Sequence, residues 1–352
     1  MGTLTSLLVL SFLIFFHELG HFLAARFFGV RVEVFSIGFG KKVFSKIIGN
    51  TEYRLAMIPL GGFVQMKGQD DSDPTKKSND KDSYNTKRPW KRIIILFAGP
   101  FANFLLAFLL YLAIANMGVT KLSPIIGSVA EGTPAQQIGL MKNDIVLEIN
   151  GAKVKTWDDL SQLIKQSNGK LLITIQRDKK VKTLMATPDI KELKTIFGEP
   201  IKKRILGISP IGKTLVLNLS FIETIKFAYD ETLKATTMIV TSLQKLIEGV
   251  VPAKELGGVV SIVQVTAQAS EAGIIALFAL TALISVNLGV LNLLPIPALD
   301  GGHIMFNIYE MITKKAPSER VLYIMTVFGW VFLLSLMAFT IFNDLFRIFG
   351  GN

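Results

Sequence analysis

Residues 17–21 have the sequence HELGH, which combines the side chains that zinc-dependent proteases use. One turn of helix separates the two histidines, so both imidazoles project from one face and can bind a single zinc ion. Glu18 lies beside them as a candidate general base for peptide hydrolysis. The motif falls inside an uncharged apolar run that begins near Leu4, where such side chains are costly without a functional partner. His17, Glu18 and His21 therefore predict a hydrolytic zinc site within a membrane span; a chance pattern on a polar bundle face is the alternative.

A third metal ligand is expected from another part of the chain, because catalytic zinc usually has three protein ligands and a water. Asp300 is the candidate, since it lies in the segment NLLPIPALDGGH, residues 292–303, at the end of a later apolar run. The prolines and glycines there predict broken backbone, which at membrane depth is tolerated mainly beside protein or a water-filled cavity. An aspartate that only caps the following helix is the alternative. His303 is expected to pack or to contact a ligand rather than to bind the metal itself.

The composition predicts an integral membrane protein. Half of the 352 residues are hydrophobic, and the mean hydropathy is +0.46. The absence of cysteine excludes a disulfide framework and a thiol nucleophile. The net charge is +11, but the basic residues are scattered around apolar segments without a nucleic-acid-binding motif. Anionic lipid headgroups, rather than nucleic acid, are therefore the expected partners of these charges.

Four apolar segments approach the roughly 20 residues that a membrane-spanning helix needs. They are residues 3–28, 92–117, 274–294 and 321–341. The segment between the first two is rich in lysine and arginine, including Lys76 and Lys77, so it is expected in the cytoplasm. Both termini and the domain between the second and third spans would then be extracytoplasmic. His17 would lie past the midplane, so the metal site is expected in the cytoplasmic half of the bilayer.

The remaining segments predict smaller elements around these spans. The cytoplasmic segment 29–91 contains a predicted hairpin or looped ribbon at residues 51–68, with turn signals at Pro59, Gly61 and Gly62. A soluble α+β domain is expected after the second span, with one helix at residues 157–166. Apolar residues then recur at helical spacing, which indicates an amphipathic helix that either lies at the membrane interface or packs against the bundle. The expected divisions are a polar linker at 69–83, the soluble domain at 118–211, the amphipathic helix at 212–251, a connecting segment at 252–273, the third span with its NLLPIPALDGGH segment at 274–303, a cytoplasmic loop at 304–320, and the fourth span with the C-terminus at 321–352.

Several motifs of the chain together resemble those of the site-2 protease family of intramembrane zinc metalloproteases. They are HELGH, the LDGG sequence after NLLPIP, AGPFAN at residues 98–103, and IPLGGFV at residues 58–64. The likeness covers nearly the whole chain, and within the family it is similar to the bacterial regulator-of-sigma-E proteases. It implies zinc bound by His17, His21 and Asp300, with Glu18 as the catalytic base. It also implies cleavage of single-span membrane proteins, such as an anti-sigma factor or remnant signal peptides, in regulated intramembrane proteolysis and stress signalling at the bacterial inner membrane.

The soluble domain resembles a PDZ domain. The resemblance rests on GTPA at residues 132–135 and GLMKNDIVLEING at residues 139–151. Better-known members of the branch carry two such modules, whereas the length here accommodates one. The domain is expected either to bind the C-terminus of a peptide or only to obstruct bulky substrates. The expected fold is thus a polytopic α-helical membrane protein with four transmembrane helices, a membrane-associated β-hairpin and one extracytoplasmic PDZ (α+β) domain.

Substrate contacts are expected from two asparagines and from the ribbon. Asn292 and Asn103 could donate hydrogen bonds to the oxyanion or to substrate backbone, or could only link helices. A transmembrane substrate must unwind before cleavage, and an exposed strand edge would pair with its freed backbone groups. The ribbon is the candidate edge, or else a structural prop for the first span. Its candidate edge residues are Arg54, Leu55, Ala56, Met57, Phe63, Val64, Gln65 and Met66.

Two other classes of protein compete with an intramembrane protease. A water-exposed zinc protease with a membrane anchor would carry its motif outside the span, which conflicts with the position of HELGH. A non-catalytic scaffold that displays a PDZ module would have no reason to keep Glu18 between two metal ligands. The zinc content of the purified protein separates the enzyme from the scaffold.

Overall fold

The computed structural model describes residues 2–69, 78–195 and 197–349. Residues 70–77 of the predicted linker, with Lys76 and Lys77, lie outside the described residues, as do the last three residues of the predicted C-terminal segment. The chain divides into two compact units. The first comprises Met1–Ile114 and Glu223–Asn352, and the second comprises Ala115–Ile222.

The secondary structure of the described residues is mixed, with long helices in the first unit and short strands in the second. The helices are α1 Gly2–Phe27, α2 Pro89–Met117, α3 Pro134–Gln137, α4 Trp157–Gln166, α5 Phe221–Ile247, α6 Val259–Ala272, α7 Ile274–Asn292, α8 Asp300–Thr313 and α9 Glu319–Phe349. The strands are β1 Val32–Ile48, β2 Thr51–Met66, β3 Val119–Leu122, β4 Ile126–Val129, β5 Ile145–Ile149, β6 Ala152–Lys153, β7 Leu171–Arg177, β8 Lys180–Ala186, β9 Asp189–Lys194, β10 Pro200–Ile205, β11 Ile208–Pro210 and β12 Thr214–Leu217.

Helices α1, α2, α7 and α9 are long and apolar enough to cross a membrane, in agreement with the four predicted spans. Their ends differ from the prediction by a few residues. Helix α2 begins at Pro89. Proline is favoured at this position, because the N–H groups of the first helical turn have no partner within the helix and the missing N–H of proline costs nothing there. Helix α9 continues to Phe349, beyond the predicted end of its span. The sequence therefore predicts the four membrane-spanning candidates and only their approximate ends.

Two helices lie where the sequence predicts connections. The predicted connecting segment 252–273 contains α6, which is rich in β-branched residues of low helix propensity. Its helical form depends on packing along α1, where the hydroxyl of Ser6 donates to the carbonyl of Val263 at 3.0 Å. The predicted loop 304–320 is also wrong in part, because α8 occupies residues 300–313. The third span accordingly ends at Asn292, and a new helix begins at Asp300.

Helices α1 and α2 approach each other closely at small residues. A Cβ atom on Gly20 would overlap the carbonyl of Ala98 and the methyl group of Ala102. Small residues permit this approach, which in a membrane gains van der Waals contact between helices. The core of the helical unit continues between α1, α2 and α7, with Leu13 and Val286 fully buried. This packing fixes the helix that carries HELGH against its neighbours.

The ribbon predicted between the first two spans is larger than expected. The predicted hairpin within residues 51–68 is wrong, because these residues form one strand, β2, whose partner is the preceding strand β1. The turn between them is at Gly49, which has a positive φ of 61°, rather than at the predicted turn signals. Both strands bend, so distant segments of each become neighbours. The sequence gives no signal for this pairing, because it depends on where the strands bend.

The bends bring four segments side by side. Residues 34–37 lie antiparallel to residues 62–65 on one side. On the other side they lie parallel to residues 52–55. Residues 52–55 also register with residues 44–47 on their other side. Residues 62–65 therefore form one edge of this arrangement, and residues 52–55 lie inside it.

The second unit is an α+β domain with its own core. Strands β6, β5, β7 and β8 form a sheet in that order, and buried residues such as Ile173 and Leu160 pack between the sheet and α4. The predicted helix at residues 157–166 is confirmed as α4. Thr156 and Asp159 form a capping box at its start, which is a local sequence signal. The domain extends beyond its predicted end at residue 211, because β12 pairs with β3.

Candidate metal centre

Helices α1 and α8 bring three metal-binding side chains together. The Nε2 atom of His17 lies 3.3 Å from Oδ2 of Asp300, and Nε2 of His21 lies 3.4 Å from Oδ1. The two Nε2 atoms are 3.2 Å apart. Ligand atoms held about 2.0–2.1 Å from a tetrahedral zinc ion lie about 3.3 Å from one another. The spacing of these atoms therefore matches three corners of a zinc site.

The charge at this position also fits a cation. Among the described residues, Oδ2 of Asp300 is a buried oxygen without a hydrogen-bond partner. A carboxylate oxygen buried without a donor or a positive charge is costly, so a zinc ion would compensate for its loss of water. No thiolate competes for the metal, since the chain has no cysteine. Two imidazoles and a carboxylate form a donor set typical of catalytic zinc.

Helix α2 holds the ring of His21 in place. Its Nδ1 atom lies 2.9 Å from the carbonyl oxygen of Ile95, and a carbonyl can only accept a hydrogen bond. The proton is therefore on Nδ1, which leaves the lone pair of Nε2 free for a metal ion. One turn further along α2, Gly99 leaves room for this ring, because a Cβ atom there would overlap it.

Asp300 reaches the site because α8 begins against the broken backbone that follows α7. A Cβ atom on Gly301 would overlap the carbonyls of Leu293 and Leu294, and one on Gly302 would overlap the backbone of Ile296. A side chain at either glycine would push α8 away from this segment. Asp300 makes no capping hydrogen bond, since the N-cap of α8 is Leu299 without a side-chain bond. The capping alternative for Asp300 is therefore wrong, and its carboxylate faces the histidines instead.

A cavity of about 170 Å³ adjoins the three candidate ligands. Glu18, Asn292 and His303 line it together with the ligands. The lining also includes part of β2, namely Gly62, Phe63, Val64 and Met66. The cavity thus brings the predicted base and one predicted polar contact beside the metal-binding atoms. His303 lines the cavity but does not belong to the group of ligand atoms, as expected for a residue that does not bind the metal.

Asn103 does not lie where a substrate contact is expected. Its side chain is completely buried within α2 and is not among the residues that line the cavity. Its amide instead lies 3.2 Å from Nδ1 of His17, on the side of the ring away from Asp300. Of the two predicted roles for Asn103, this position favours a link between helices, here between α2 and His17 on α1. The sequence gives no signal for this contact, because the residues lie on different helices.

The structure separates the two halves of the predicted substrate edge. Arg54 lies between Ser36 and Ser45, and Leu55 lies between Ile37 and Phe44. Both residues thus have a strand neighbour on each side and cannot pair with another strand. Ala56 registers with Lys42, and the structure gives no registered partner for Met57. The expectation of a free edge at residues 54–57 is therefore wrong for Arg54 and Leu55.

Arg54 has a structural partner within the ribbon. It donates to Glu52 at 3.0 Å, and Lys42 donates to the other carboxylate oxygen at 2.6 Å. These two hydrogen bonds, from Lys42 and then Arg54, lower the pKa of Glu52 to about 2. These ion pairs stabilise the pairing of β1 with β2 in this part of the ribbon.

The other half of the predicted edge keeps a free side in the part of the chain that the structure describes. Phe63, Val64 and Gln65 register with β1 alone, and Phe63, Val64 and Met66 line the cavity. An extended peptide beside these residues would lie within the cavity that contains the metal-binding atoms. The geometry therefore favours residues 63–66 over Arg54 and Leu55 as the edge beside the cavity.

The family model and the individual relatives that match this chain agree on one protein family. The model of peptidase family M50 matches residues 5–336. A protein of Campylobacter jejuni is 49% identical over 347 residues, which cover 99% of this chain and 94% of the relative. A Helicobacter pylori protein is 38% identical over 98% of this chain and 99% of its own length. One from Clostridium acetobutylicum is 34% identical over 96% of both. Their names give each of them, provisionally, as a zinc metalloprotease.

Proposed function

Because the chain belongs to peptidase family M50, the site-2 protease family, and is a zinc metalloprotease in a membrane, we propose that it cleaves single-span membrane proteins within their membrane-spanning segments. Its substrates would be proteins such as an anti-sigma factor or remnant signal peptides, in regulated intramembrane proteolysis. We infer that the chain belongs to the regulator-of-sigma-E branch of this family, on the sequence motifs described above.

One observation carries this proposal. The histidines and Glu18 lie on α1, a helix long and apolar enough to cross a membrane, and they line the same cavity as Asp300. A protease that acts only in water would not need its site on such a helix. The substrate that can reach this site is therefore a segment that is itself within the membrane.

The proposed chemistry assigns a role to each side chain of the cavity. His17, His21 and Asp300 would hold zinc, which when bound supplies Lewis acidity towards water and the scissile carbonyl. Glu18 would accept a proton from the attacking water and later return it to the leaving amine. Asn292, at the end of α7, would donate a hydrogen bond to the substrate backbone or to the developing oxyanion.

Strand addition would hold the unwound substrate. Each backbone group that unwinding exposes in an apolar site costs several kcal/mol if it stays unbonded, roughly 2–7 kcal/mol for an amide. The free edge at Phe63, Val64 and Gln65 would supply partners for these groups beside the metal-binding atoms. The ribbon would then be part of the active site rather than a prop.

The proposed orientation follows the distribution of basic residues. The segment between α1 and α2 would be cytoplasmic, and both termini and the second unit would be outside, in a bacterial inner membrane. The ribbon also exposes apolar side chains next to lysines, with Val43 beside Lys42 and Ile47 beside Lys46. Such a surface suits anionic lipid headgroups. The second unit would act as a PDZ domain that binds a peptide C-terminus or filters substrates by size.

Cleavage of a single-span substrate in proteoliposomes tests the proposal. Glu18→Gln should lower the rate by at least about 10²-fold, because the general base is lost. Zinc content should stay at the wild-type level, since the ligands are intact. Glu255→Gln, at an exposed position, is the matched control and should keep full activity.

The position of the cut separates the proposal from its rivals. Mass spectrometry of the products should place the cleaved bond within the membrane-spanning segment of the substrate. Cleavage only in its water-exposed part would contradict intramembrane proteolysis. Wild-type activity of Glu18→Gln would contradict the role of the base.

A further inference from the structure

The two histidines of the candidate metal centre have different partners at their Nδ1 atoms. Nδ1 of His21 faces the carbonyl oxygen of Ile95 at 2.9 Å, whereas Nδ1 of His17 faces the side-chain amide of Asn103 at 3.2 Å. Both Nε2 atoms face Asp300. Asn103 thus offers a hydrogen bond to the outer nitrogen of His17.

The metal-binding role of His17 fixes the form of its ring. A histidine that binds a metal through Nε2 uses the lone pair of that atom, so its proton is on Nδ1. Nδ1 of His17 is then a donor and needs an acceptor, and it faces the fully buried side chain of Asn103. The amide nitrogen of Asn103 cannot accept a hydrogen bond, but the amide oxygen can.

The orientation of the Asn103 amide follows from this requirement. The nitrogen and oxygen of an amide are distinguished by their hydrogen-bond partners, not by their shape. With nitrogen towards the ring, Oδ1 is buried and has no partner among the described residues. With oxygen towards the ring, it accepts the proton of His17 and is satisfied.

We propose that Asn103 is a positioning residue whose Oδ1 accepts the Nδ1–H hydrogen bond of His17 and so holds this ligand in its metal-binding form. The inference rests on the proposed ligand set and adds to it a partner on α2. A second contact fixes the position of Asn103 itself, because the hydroxyl of Ser285 on α7 donates to its backbone carbonyl at 2.8 Å. Helices α7 and α2 thereby orient a ligand on α1.

Zinc affinity measured by competition with a chelator tests this role directly. Asn103→Leu keeps the approximate shape but removes the acceptor, and it should weaken zinc binding about 10–100-fold. Asn103→Asp keeps an oxygen towards the ring, and its zinc affinity should stay within about threefold of wild type. Carboxylates commonly accept the hydrogen bond of a metal-bound histidine. Thr281→Val removes a hydroxyl whose hydrogen bond to the carbonyl of Leu277 stays within α7, and it should leave the affinity unchanged.

The outcomes distinguish three interpretations. If Asn103→Asp binds zinc as weakly as Asn103→Leu, the amide nitrogen faces the ring and the proposal is wrong. If both variants bind zinc normally but cleave slowly, Asn103 contacts the substrate instead. If His17→Ala keeps wild-type zinc affinity, the proposed ligand set fails independently of Asn103. The Asn103→Asp result decides the proposal even if Asn103→Leu does not fold.

Discussion

Gly99 on α2 lies directly against the imidazole of His21, so closely that a Cβ atom at this position would overlap three atoms of the ring. The ring has little freedom to move, because it is buried and its Nδ1 atom is hydrogen-bonded to the carbonyl oxygen of Ile95, one turn earlier on α2. A methyl group at residue 99 must therefore displace the metal-binding nitrogen.

Gly99→Ala should lower zinc affinity by at least about tenfold and reduce cleavage in proportion, because overpacking displaces the ligand. Alanine favours the helix over glycine by about 1 kcal/mol, so α2 should not unfold for lack of propensity. Chelator competition and circular dichroism measure the two effects. Gly169→Ala is the control, since a Cβ atom there would meet no atom within 4 Å. Normal zinc binding by Gly99→Ala would contradict the close contact.

The third ligand is tested by comparing Asp300→Ala with His303→Ala. Asp300→Ala should lose zinc and activity together, because it removes one of three ligand atoms. His303→Ala should keep most of its zinc, since its ring lines the cavity outside the ligand group. Metal analysis of both purified variants is the measurement. The assignment is overturned if His303→Ala loses zinc while Asp300→Ala retains it.

Strand addition is tested at Val64, which registers with Phe35 on one side and lines the cavity. Val64→Pro removes one backbone N–H from this strand and should slow cleavage without loss of zinc. A substrate with glycine at mid-span should be cleaved faster than one with leucine, because it unwinds at lower cost. Equal rates for both substrates, with an unimpaired Val64→Pro enzyme, would leave the ribbon as a structural support.

The orientation in the membrane is tested by single cysteines, since the native chain has none. Asn79 and Asn168 are both exposed and lie in different units. An impermeant thiol reagent should label Asn79→Cys only from the cytoplasm and Asn168→Cys only from outside. Reversed labelling would place the metal centre in the opposite half of the bilayer.

The sequence alone predicts the features that depend on neighbouring residues. The spacing of His17 and His21 places both rings on one face, because one helical turn joins them. The four apolar segments are evident because a span needs a continuous run of apolar residues. Helix α4 is predicted with its observed ends, because Thr156 and Asp159 cap it locally.

Only the tertiary structure decides which distant residues meet. Asp300 reaches the histidines because α7 ends at Asn292 and two glycines let α8 begin against the broken backbone. The contact of Asn103 with His17 depends on the rotation of α2 against α1, which no periodicity in either helix specifies. Phe63, Val64 and Gln65 keep a free strand edge whereas Arg54 and Leu55 do not, because β1 and β2 bend and the bends place residues 52–55 inside. Each of these relationships depends on packing between segments far apart in the chain, and local propensity carries no information about that packing.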